Sequence, residues 1–135
     1  MSEPFRHRLR VRYNECDPQG VVFNANYLTY FDLTMGELWQ ELGGYQAMVD
    51  AGVDMVVAEA TIRYLAPLRF DDELELVARI RRLGDTSMTT ELVIEDGGEP
   101  AAEGELRHVF IETGTGRTAP IPDAIRAGLA RYATR

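Results

Sequence analysis

The chain has 135 residues, 45% hydrophobic and 27% charged, which fits one folded domain with a core and excludes a disordered chain. Its formal net charge of −8 at pH 7 repels nucleic acid and anionic membranes, and no apolar run is long enough to span a bilayer. The amino terminus, MSEPFRHRLR, lacks the apolar core of a signal peptide, and the single cysteine, Cys16, excludes an internal disulfide framework. We therefore expect residues 1–135 to form a single cytoplasmic domain without a nucleic-acid or membrane partner.

The first predicted element is a strand that runs from Phe5 to Tyr13. Its alternation of apolar and basic residues predicts one buried face, made of Phe5, Leu9, Val11 and Tyr13. Residues 14–20 are predicted to form a loop, because Pro18 and Gly20 favour turns.

A long helix is predicted next, because apolar residues recur at spacings of three and four. The stripe that we expect to be buried consists of Leu28, Phe31, Met35, Leu38 and Leu42. Asn24 is suited to cap the start of this helix, and Gly43-Gly44 is suited to end it after about five turns.

The rest of the chain returns to an alternating pattern that predicts four strands. Their expected buried faces are Val56, Ala58, Ala60, Ile62 and Tyr64, then Leu74, Leu76, Ala78 and Ile80, then Met88, Leu92 and Ile94. Gly97-Gly98 predicts a hairpin turn before the last strand, about Glu103 to Thr113, and Pro122 predicts the start of a short helix. This order predicts an α+β fold in which an antiparallel sheet of about five strands wraps around one long helix.

Several motifs in this order resemble one known family. Asp17-Pro18-Gln19-Gly20-Val21-Val22-Phe23, followed by Asn26-Tyr27 and Tyr30-Phe31-Asp32, resembles the signature of the hotdog-fold acyl-CoA thioesterases, in the branch of 4-hydroxybenzoyl-CoA thioesterase and the YbgC-like enzymes. Later segments follow in the family's order: Tyr64-Leu65-Ala66-Pro67-Leu68 with Asp71-Asp72, the Ser87 strand, and Thr115-Gly116-Arg117 ahead of Ile121-Pro122. The resemblance implies the hotdog fold and a thioesterase without a dissociable cofactor beyond the CoA of its substrate. It also implies homodimers that pair their sheets edge to edge, with homotetramers above them.

The resemblance assigns the chemistry to Asp17, which would attack the thioester carbonyl or activate the water that does. The start of a helix favours an ionised carboxylate, and its free amides, here those near Phe23 and Asn24, could stabilise the oxyanion. The expected oxyanion and substrate-binding residues are Gly20, Val22, Phe23, Asn24 and Tyr27. The alternative for Asp17 is a turn residue whose side chain accepts from a backbone amide two residues on.

Other candidate residues have weaker signals. Asn24 stands where the family often has histidine or an aromatic residue, and asparagine cannot act as a base at pH 7. Asp32 is either a secondary acid or a structural hydrogen-bonding group. His7 and His108 lie in different predicted strands without metal-ligand spacing, so we expect no metal. Cys16 is disfavoured as a nucleophile because the neighbouring carboxylate raises the pKa of its thiol.

The phosphates of CoA require cations, and the basic run of the hydroxybenzoyl branch is replaced here by Gly84-Asp85-Thr86. Arg81, Arg82 and Arg117 are the candidate substitutes, and Arg117 matches the family pattern best. The favoured alternative for each is a solvated surface charge. Alternatives therefore stay open: a thioesterase acting on acyl-carrier-protein conjugates, or a domain that binds acyl thioesters without turnover. A hydratase or dehydratase is disfavoured, because no histidine lies near Asp17 in the sequence.

Overall fold

A five-stranded antiparallel sheet packs against one long helix in the computed structural model, which describes residues 3–134. The elements are β1 (Phe5–Arg10), α1 (Ala25–Glu41), α2 (Tyr45–Asp50), β2 (Val53–Tyr64), β3 (Glu73–Leu83), β4 (Ser87–Asp96), β5 (Glu99–Glu112) and α3 (Asp123–Ala130). Their order in the sheet is β1-β3-β4-β5-β2, with every neighbouring pair antiparallel. The α+β hotdog architecture predicted from the sequence is confirmed, with α2 as an additional short helix.

The first strand is shorter than predicted. β1 pairs with β3 only from Phe5 to Arg10, and a 3-10 turn occupies Tyr13–Glu15. The alternation holds as far as Val11, which is buried, but Tyr13 is 79% exposed. The prediction for Tyr13 is wrong because the chain leaves the sheet before this residue.

The long helix and its end match the prediction better than its buried stripe does. α1 has 17 residues, and Gly43 and Gly44 both adopt the positive φ values that end a helix. Its buried face comprises Tyr27, Tyr30, Phe31, Thr34, Met35, Leu38 and Trp39. Leu28 is 39% exposed, so its expected place in the stripe is wrong.

The strands β3 and β4 bury the faces that were predicted, whereas β2 does not. Leu74, Leu76, Ala78 and Ile80 and then Met88, Leu92 and Ile94 are all buried. On β2, Val56 and Tyr64 are about half exposed, because the strand lies at an edge of the sheet with a neighbour on one side only. A second copy of the fold would find both unused backbone groups and apolar side chains here.

Three glycines shape the sheet. Gly97 and Gly98 have φ values of 62° and 85°, which permit the two-residue turn predicted between β4 and β5. Gly104 on β5 lets two neighbours approach closely, since a Cβ there would lie 2.0 Å from the Thr61 carbonyl oxygen and 2.9 Å from the Phe31 ring. No helix within residues 3–134 combines the length and the hydropathy needed to cross a bilayer.

Candidate active site

The loop that carries Asp17 is a closed turn. The Asp17 amide donates to the Val21 carbonyl at 2.9 Å, and the Gly20 amide donates to the Asp17 carbonyl at 2.9 Å. Gly20 adopts φ +81°, a conformation that favours glycine, and Cys16 and Val22 form a bridge at the base of the turn. The sequence-predicted loop is therefore held by its own backbone.

Only one of the two carboxylate oxygens of Asp17 takes part in the turn. Its Oδ1 accepts from the Gln19 amide at 2.8 Å, which is the turn role considered as the alternative to catalysis. Its Oδ2 accepts no hydrogen bond from residues 3–134, and the residue is half-buried. One oxygen can thus fix the carboxylate while the other stays available for chemistry.

The amides expected to stabilise an oxyanion are partly occupied. Phe23 donates its amide to the Glu15 carbonyl at 3.0 Å, and Val22 donates to Leu68 at 2.8 Å, so neither is free for a ligand. In the described part of the chain, the amides of Asn24 and Ala25 donate to no acceptor. Ala25 was missed from the sequence, because the side chain at the start of a helix gives no sign of a free amide.

Asn24 occupies the N-cap position of α1 but does not cap it through its side chain. The residue has helical dihedral angles, φ −56° and ψ −35°, and its side chain makes no capping hydrogen bond. The expected cap is therefore wrong, since an Ncap side chain accepts from the first turn only when its backbone is extended. Among the described residues, the amides of Asn24 and Ala25 stay open, whereas those of Asn26 and Tyr27 donate to the Phe23 and Asn24 carbonyls.

A buried carboxylate joins this loop to α1. Glu15 is 8% exposed, and its Oε1 accepts from the Arg12 amide and the Tyr30 hydroxyl, each at 2.8 Å. Its Oε2 accepts from Arg12 Nη2 at 2.6 Å, and its carbonyl accepts from the Phe23 amide and from Asn26 Nδ2 at 2.9 Å. Sequence reasoning missed Glu15, because nothing in the local pattern marks this acidic residue as buried.

The electrostatics of this cluster keep Glu15 ionised. Burial alone would raise its pKa, but the hydrogen bonds from Arg12 and from the Tyr30 hydroxyl outweigh burial, and the net pKa is lowered. The pKa of Tyr30 is raised by burial and by the Glu15 carboxylate, so its hydroxyl remains a donor. The Glu15 carboxylate is therefore a buried ion with hydrogen-bond partners on both oxygens, and it is not a group that transfers protons.

Tyr27 belongs to the core beneath the loop. It is 4% exposed, and its hydroxyl accepts from the Leu68 amide at 3.2 Å. Its ring meets Tyr64 edge-on, with centroids 4.9 Å apart, and the Tyr64 hydroxyl donates to the Asn24 carbonyl at 3.0 Å. The end of β2 is thus attached to the start of α1.

The pKa of the Cys16 thiol is raised by burial and by the charges of Glu15, Asp17 and Asp72. A thiolate is the reactive form of cysteine, so these neighbours keep Cys16 unreactive. This agrees with the expectation that Cys16 is not the nucleophile.

Asp32 lies apart from Asp17 in the isolated chain. Asp17 borders an open cavity of about 520 Å³ together with Tyr13 and Phe70, whereas Asp32 borders another of about 340 Å³ with Trp39. The negative charge of Asp32 reaches His108, a 2% exposed residue whose pKa is lowered by burial and whose Nδ1 has no partner within residues 3–134. No group of acidic, histidine and cysteine side chains in the described chain could hold a metal ion.

The three candidate arginines differ in their surroundings. Arg81 is held by Glu105, with Nε 2.6 Å from the carboxylate, and also lies 4.0 Å from Glu91. Arg82 and Arg117 are exposed, and their guanidinium groups meet no acidic side chain among the described residues. Of the three candidates, Arg82 and Arg117 therefore have no ionic partner among the described residues.

Most of the chain matches known proteins. A family model described as the thioesterase-like superfamily matches residues 11–129. A putative esterase of Aquifex aeolicus (strain VF5) is 30% identical over 112 residues, covering 82% of this chain and 88% of the relative. The acyl-CoA thioester hydrolase YbgC of Escherichia coli O6:H1 is 29% identical over 125 residues, covering 91% of this chain and 93% of the relative. The solved structure of BH1999 gentisyl-coenzyme A thioesterase superposes with a TM-score of 0.83 at 28% identity, covering 93% of this chain and 99% of that one.

Proposed function

The chain belongs to the thioesterase-like superfamily and is a thioester hydrolase, and from this premise we propose that it converts an acyl- or aroyl-CoA thioester to the free acid and CoA. In this proposal Asp17 is the nucleophile or the general base, and backbone amides at the start of α1 bind the oxyanion. No cofactor takes part beyond the CoA of the substrate itself. A cytoplasmic location is part of the proposal and is supported by the single cysteine.

One observation carries the site assignment. Asp17 is fixed through Oδ1 while Oδ2 has no partner in the described chain, and the loop leads within a few residues to the unpaired amides of Asn24 and Ala25. Acyl transfer needs a nucleophile at the carbonyl carbon and donors at the developing oxyanion. A carboxylate with a free oxygen followed by two open amides supplies both kinds of group.

The reaction can proceed by two routes that share the same groups. In the first, Asp17 Oδ2 bonds to the carbonyl carbon, the C–S bond breaks, the thiolate leaves, and water then cleaves the mixed anhydride to release the acid. In the second, Asp17 takes a proton from a water molecule whose oxygen bonds to the carbonyl carbon, and the C–S bond then breaks as the leaving thiolate takes that proton from Asp17. In both routes the negative charge that forms on the carbonyl oxygen is bound by the Asn24 and Ala25 amides, and each such donor contributes about 3 kcal/mol.

The enzyme is proposed to act as a homodimer built on the free edge of β2. That strand has 12 residues and exposes Val56, Val57 and Tyr64, which a second copy would cover by antiparallel self-pairing. A two-fold axis midway between the two paired strands reverses their directions, so the start of the partner's β2 comes beside the end of this one. The homotetramer implied by the family resemblance stays a proposal.

The same symmetry suggests how the phosphates of CoA are bound. Arg117 lies near the start of β2, because its carbonyl accepts from the Glu112 amide and Glu112 pairs with Val53. The end of β2 holds Asn24 through Tyr64, so the reversal brings Arg117 of the partner subunit toward the site of this chain. Arg82 is the second candidate for this role.

The test is a panel of thioesters with wild-type protein and the Asp17→Ala and Asp17→Asn variants, measured as thiol release. We expect wild-type turnover and a fall in kcat/KM of about 10²–10⁴-fold in both variants. Undiminished turnover in Asp17→Ala would refute the site assignment. Tight acyl-CoA binding without wild-type turnover would instead indicate a sensing domain, and preference for carrier-protein conjugates would fit the absence of a basic run at residues 84–86.

A further inference from the structure

Glu15 connects the two halves of the proposed site through its backbone. It precedes Asp17 by two residues, and its carbonyl accepts from the amide of Phe23, which directly precedes Asn24. The same carbonyl accepts from Asn26 Nδ2 in the first turn of α1. The position of this peptide group therefore contributes to the distance between the Asp17 loop and the free amides, together with the backbone bonds inside the loop.

The Glu15 side chain anchors that peptide group from the other direction. Its carboxylate is buried, and it accepts from Arg12, two residues after the end of β1, and from Tyr30, a fully buried residue of α1. A buried charge costs free energy unless its acceptor positions are filled. The carboxylate is therefore held where these donors can reach it. Through its side chain and its carbonyl, Glu15 thus connects Arg12, the Phe23 amide and Tyr30 of α1.

The hydrogen bond from Tyr30 to Glu15 fixes the position of α1 along its axis relative to the loop. The hydroxyl of Tyr30 reaches Glu15 from the second turn of α1, and the ring is 0% exposed in the core. A helix turn held at a buried hydrogen bond cannot slide relative to the loop without breaking that bond. The start of α1, with its open amides, is thus held in register with Asp17.

We propose that Glu15 is the positioning residue of this site, holding the Asp17 carboxylate and the Asn24 and Ala25 amides at the separation that the reaction needs. The inference rests on the proposed function of Asp17, which it deepens. Glu15 touches no substrate in this role and transfers no proton. Its effect on the reaction comes only from the geometry of the groups on either side of it.

The variants that test this role change one polar group and keep the side-chain volume. Glu15→Gln keeps an acceptor for Tyr30 but places an NH₂ group against the Arg12 donors, and Tyr30→Phe removes only the hydroxyl that reaches Glu15. Thr34→Val is the matched control, because it also removes a buried hydroxyl of α1, one that donates to the Tyr30 carbonyl and does not reach the loop. The three proteins are compared with wild type for kcat and KM at a temperature well below the melting transition of each.

We expect kcat to fall by about 10–100-fold in Glu15→Gln and Tyr30→Phe, with KM close to that of wild type, because a misplacement near 1 Å is sufficient for such a loss. Thr34→Val should keep the wild-type kcat. Folded Tyr30→Phe with an unchanged kcat would overturn the proposal, even if its melting temperature had dropped. If Glu15→Gln does not fold, Tyr30→Phe decides alone.

Hydrogen exchange supplies a readout that does not depend on turnover. Amides of residues 16–26 should exchange faster in Tyr30→Phe than in wild type and Thr34→Val, since the tie between loop and helix is weakened. Unchanged exchange across this segment would contradict the positioning role. Absence of wild-type turnover would count against the proposed function alone, and the exchange result would still decide about Glu15.

Discussion

The Asp17 loop and the edge strand β2 meet at the start of α1, where the Tyr64 hydroxyl donates to the Asn24 carbonyl. The two regions differ in how many of their backbone groups have hydrogen-bond partners within the chain. In the loop, the amides of Asp17, Gly20 and Phe23 each donate to a carbonyl of the same chain. On β2, one side of the strand has no neighbouring strand, and Val56 and Val57 are about half exposed. The hydrogen bonds of the loop therefore form within one chain, whereas the open edge of β2 is suited to pair with a second chain.

This difference separates two requirements of the proposed site. The position of the Asp17 carboxylate depends on local hydrogen bonds that a single chain can form, so it should survive dissociation. The surroundings of the substrate depend on β2, since only a partner can cover the exposed strand. Changes to the loop should therefore alter kcat without changing assembly, and changes to the edge should alter assembly first.

The largest effect should come from a charge on the edge. Val57→Lys puts an ammonium group on the half-exposed face of β2 and should prevent pairing of two copies. We expect a monomer by sedimentation, with activity lowered by at least about 100-fold because the site is incomplete. Val49→Lys, at a similarly apolar and exposed position on α2, is the control and should remain a dimer. A fully active Val57→Lys monomer would mean that the loop alone makes the site.

The next effect concerns the attachment of β2 to the core. Gly104→Ala would place a methyl group against the Thr61 carbonyl and the Phe31 ring, so we expect a loss of about 1–3 kcal/mol in the free energy of unfolding. Gly36→Ala is the opposite case, because nothing lies within 4 Å of its added Cβ in α1, and it should gain about 0.5–1 kcal/mol. Urea unfolding measures both. An unaltered midpoint for Gly104→Ala would show that β2 moves away at little cost.

A smaller effect should follow from removing a cation. Arg117→Ala should raise KM for an acyl-CoA by about tenfold, the equivalent of one charge-assisted hydrogen bond to phosphate. The same acyl group on N-acetylcysteamine, which has no nucleotide, should show no change. Arg6→Ala, whose guanidinium is engaged by Glu75 and Glu95 on the outer face of the sheet, is the control. Equal changes for both thioesters would remove Arg117 from the phosphate site.

The smallest effect should be a pH-dependent loss of stability that originates in the loop. The folded-state pKa of Glu15 is lowered, so the ionised side chain stabilises the fold above the unfolded-state value of about 4.3. This contribution disappears as the pH falls through the folded-state pKa. The difference in unfolding free energy between wild type and Glu15→Gln should accordingly be largest near neutral pH and shrink in acid. A difference that stays constant down to pH 2 would contradict the assignment.

The fold was predicted well from the sequence where local patterns determine the structure, such as the alternation of buried and exposed residues along a strand. β3, β4 and the Gly97-Gly98 turn were identified because alternation and turn chemistry act locally. Tyr13 and Leu28 were misjudged because periodicity does not reveal where a strand leaves its sheet or which side of a helix meets it. The exposure of β2 was missed for a related reason, since a strand with an apolar face looks the same whether its cover comes from its own chain or from another.

Within the candidate site, the sequence predicted the loop that carries Asp17 but not the residues that support this loop. Glu15 was missed because a buried carboxylate depends on Arg12 and Tyr30, whose contacts with it form only in the folded chain. Ala25 was missed because its amide, not its side chain, is the relevant group. The Phe23 amide was assigned to the oxyanion because its hydrogen bond to Glu15 could not be foreseen.

The chain contains one tryptophan, Trp39, which is 6% exposed and borders the cavity that includes Asp32. Its emission therefore arises from a single known environment, free of overlapping signals. Quenching or a spectral shift on titration with a thioester would show in real time that binding changes the surroundings of Trp39. The protein carries its own fluorescent probe, and stopped-flow measurements need no added label.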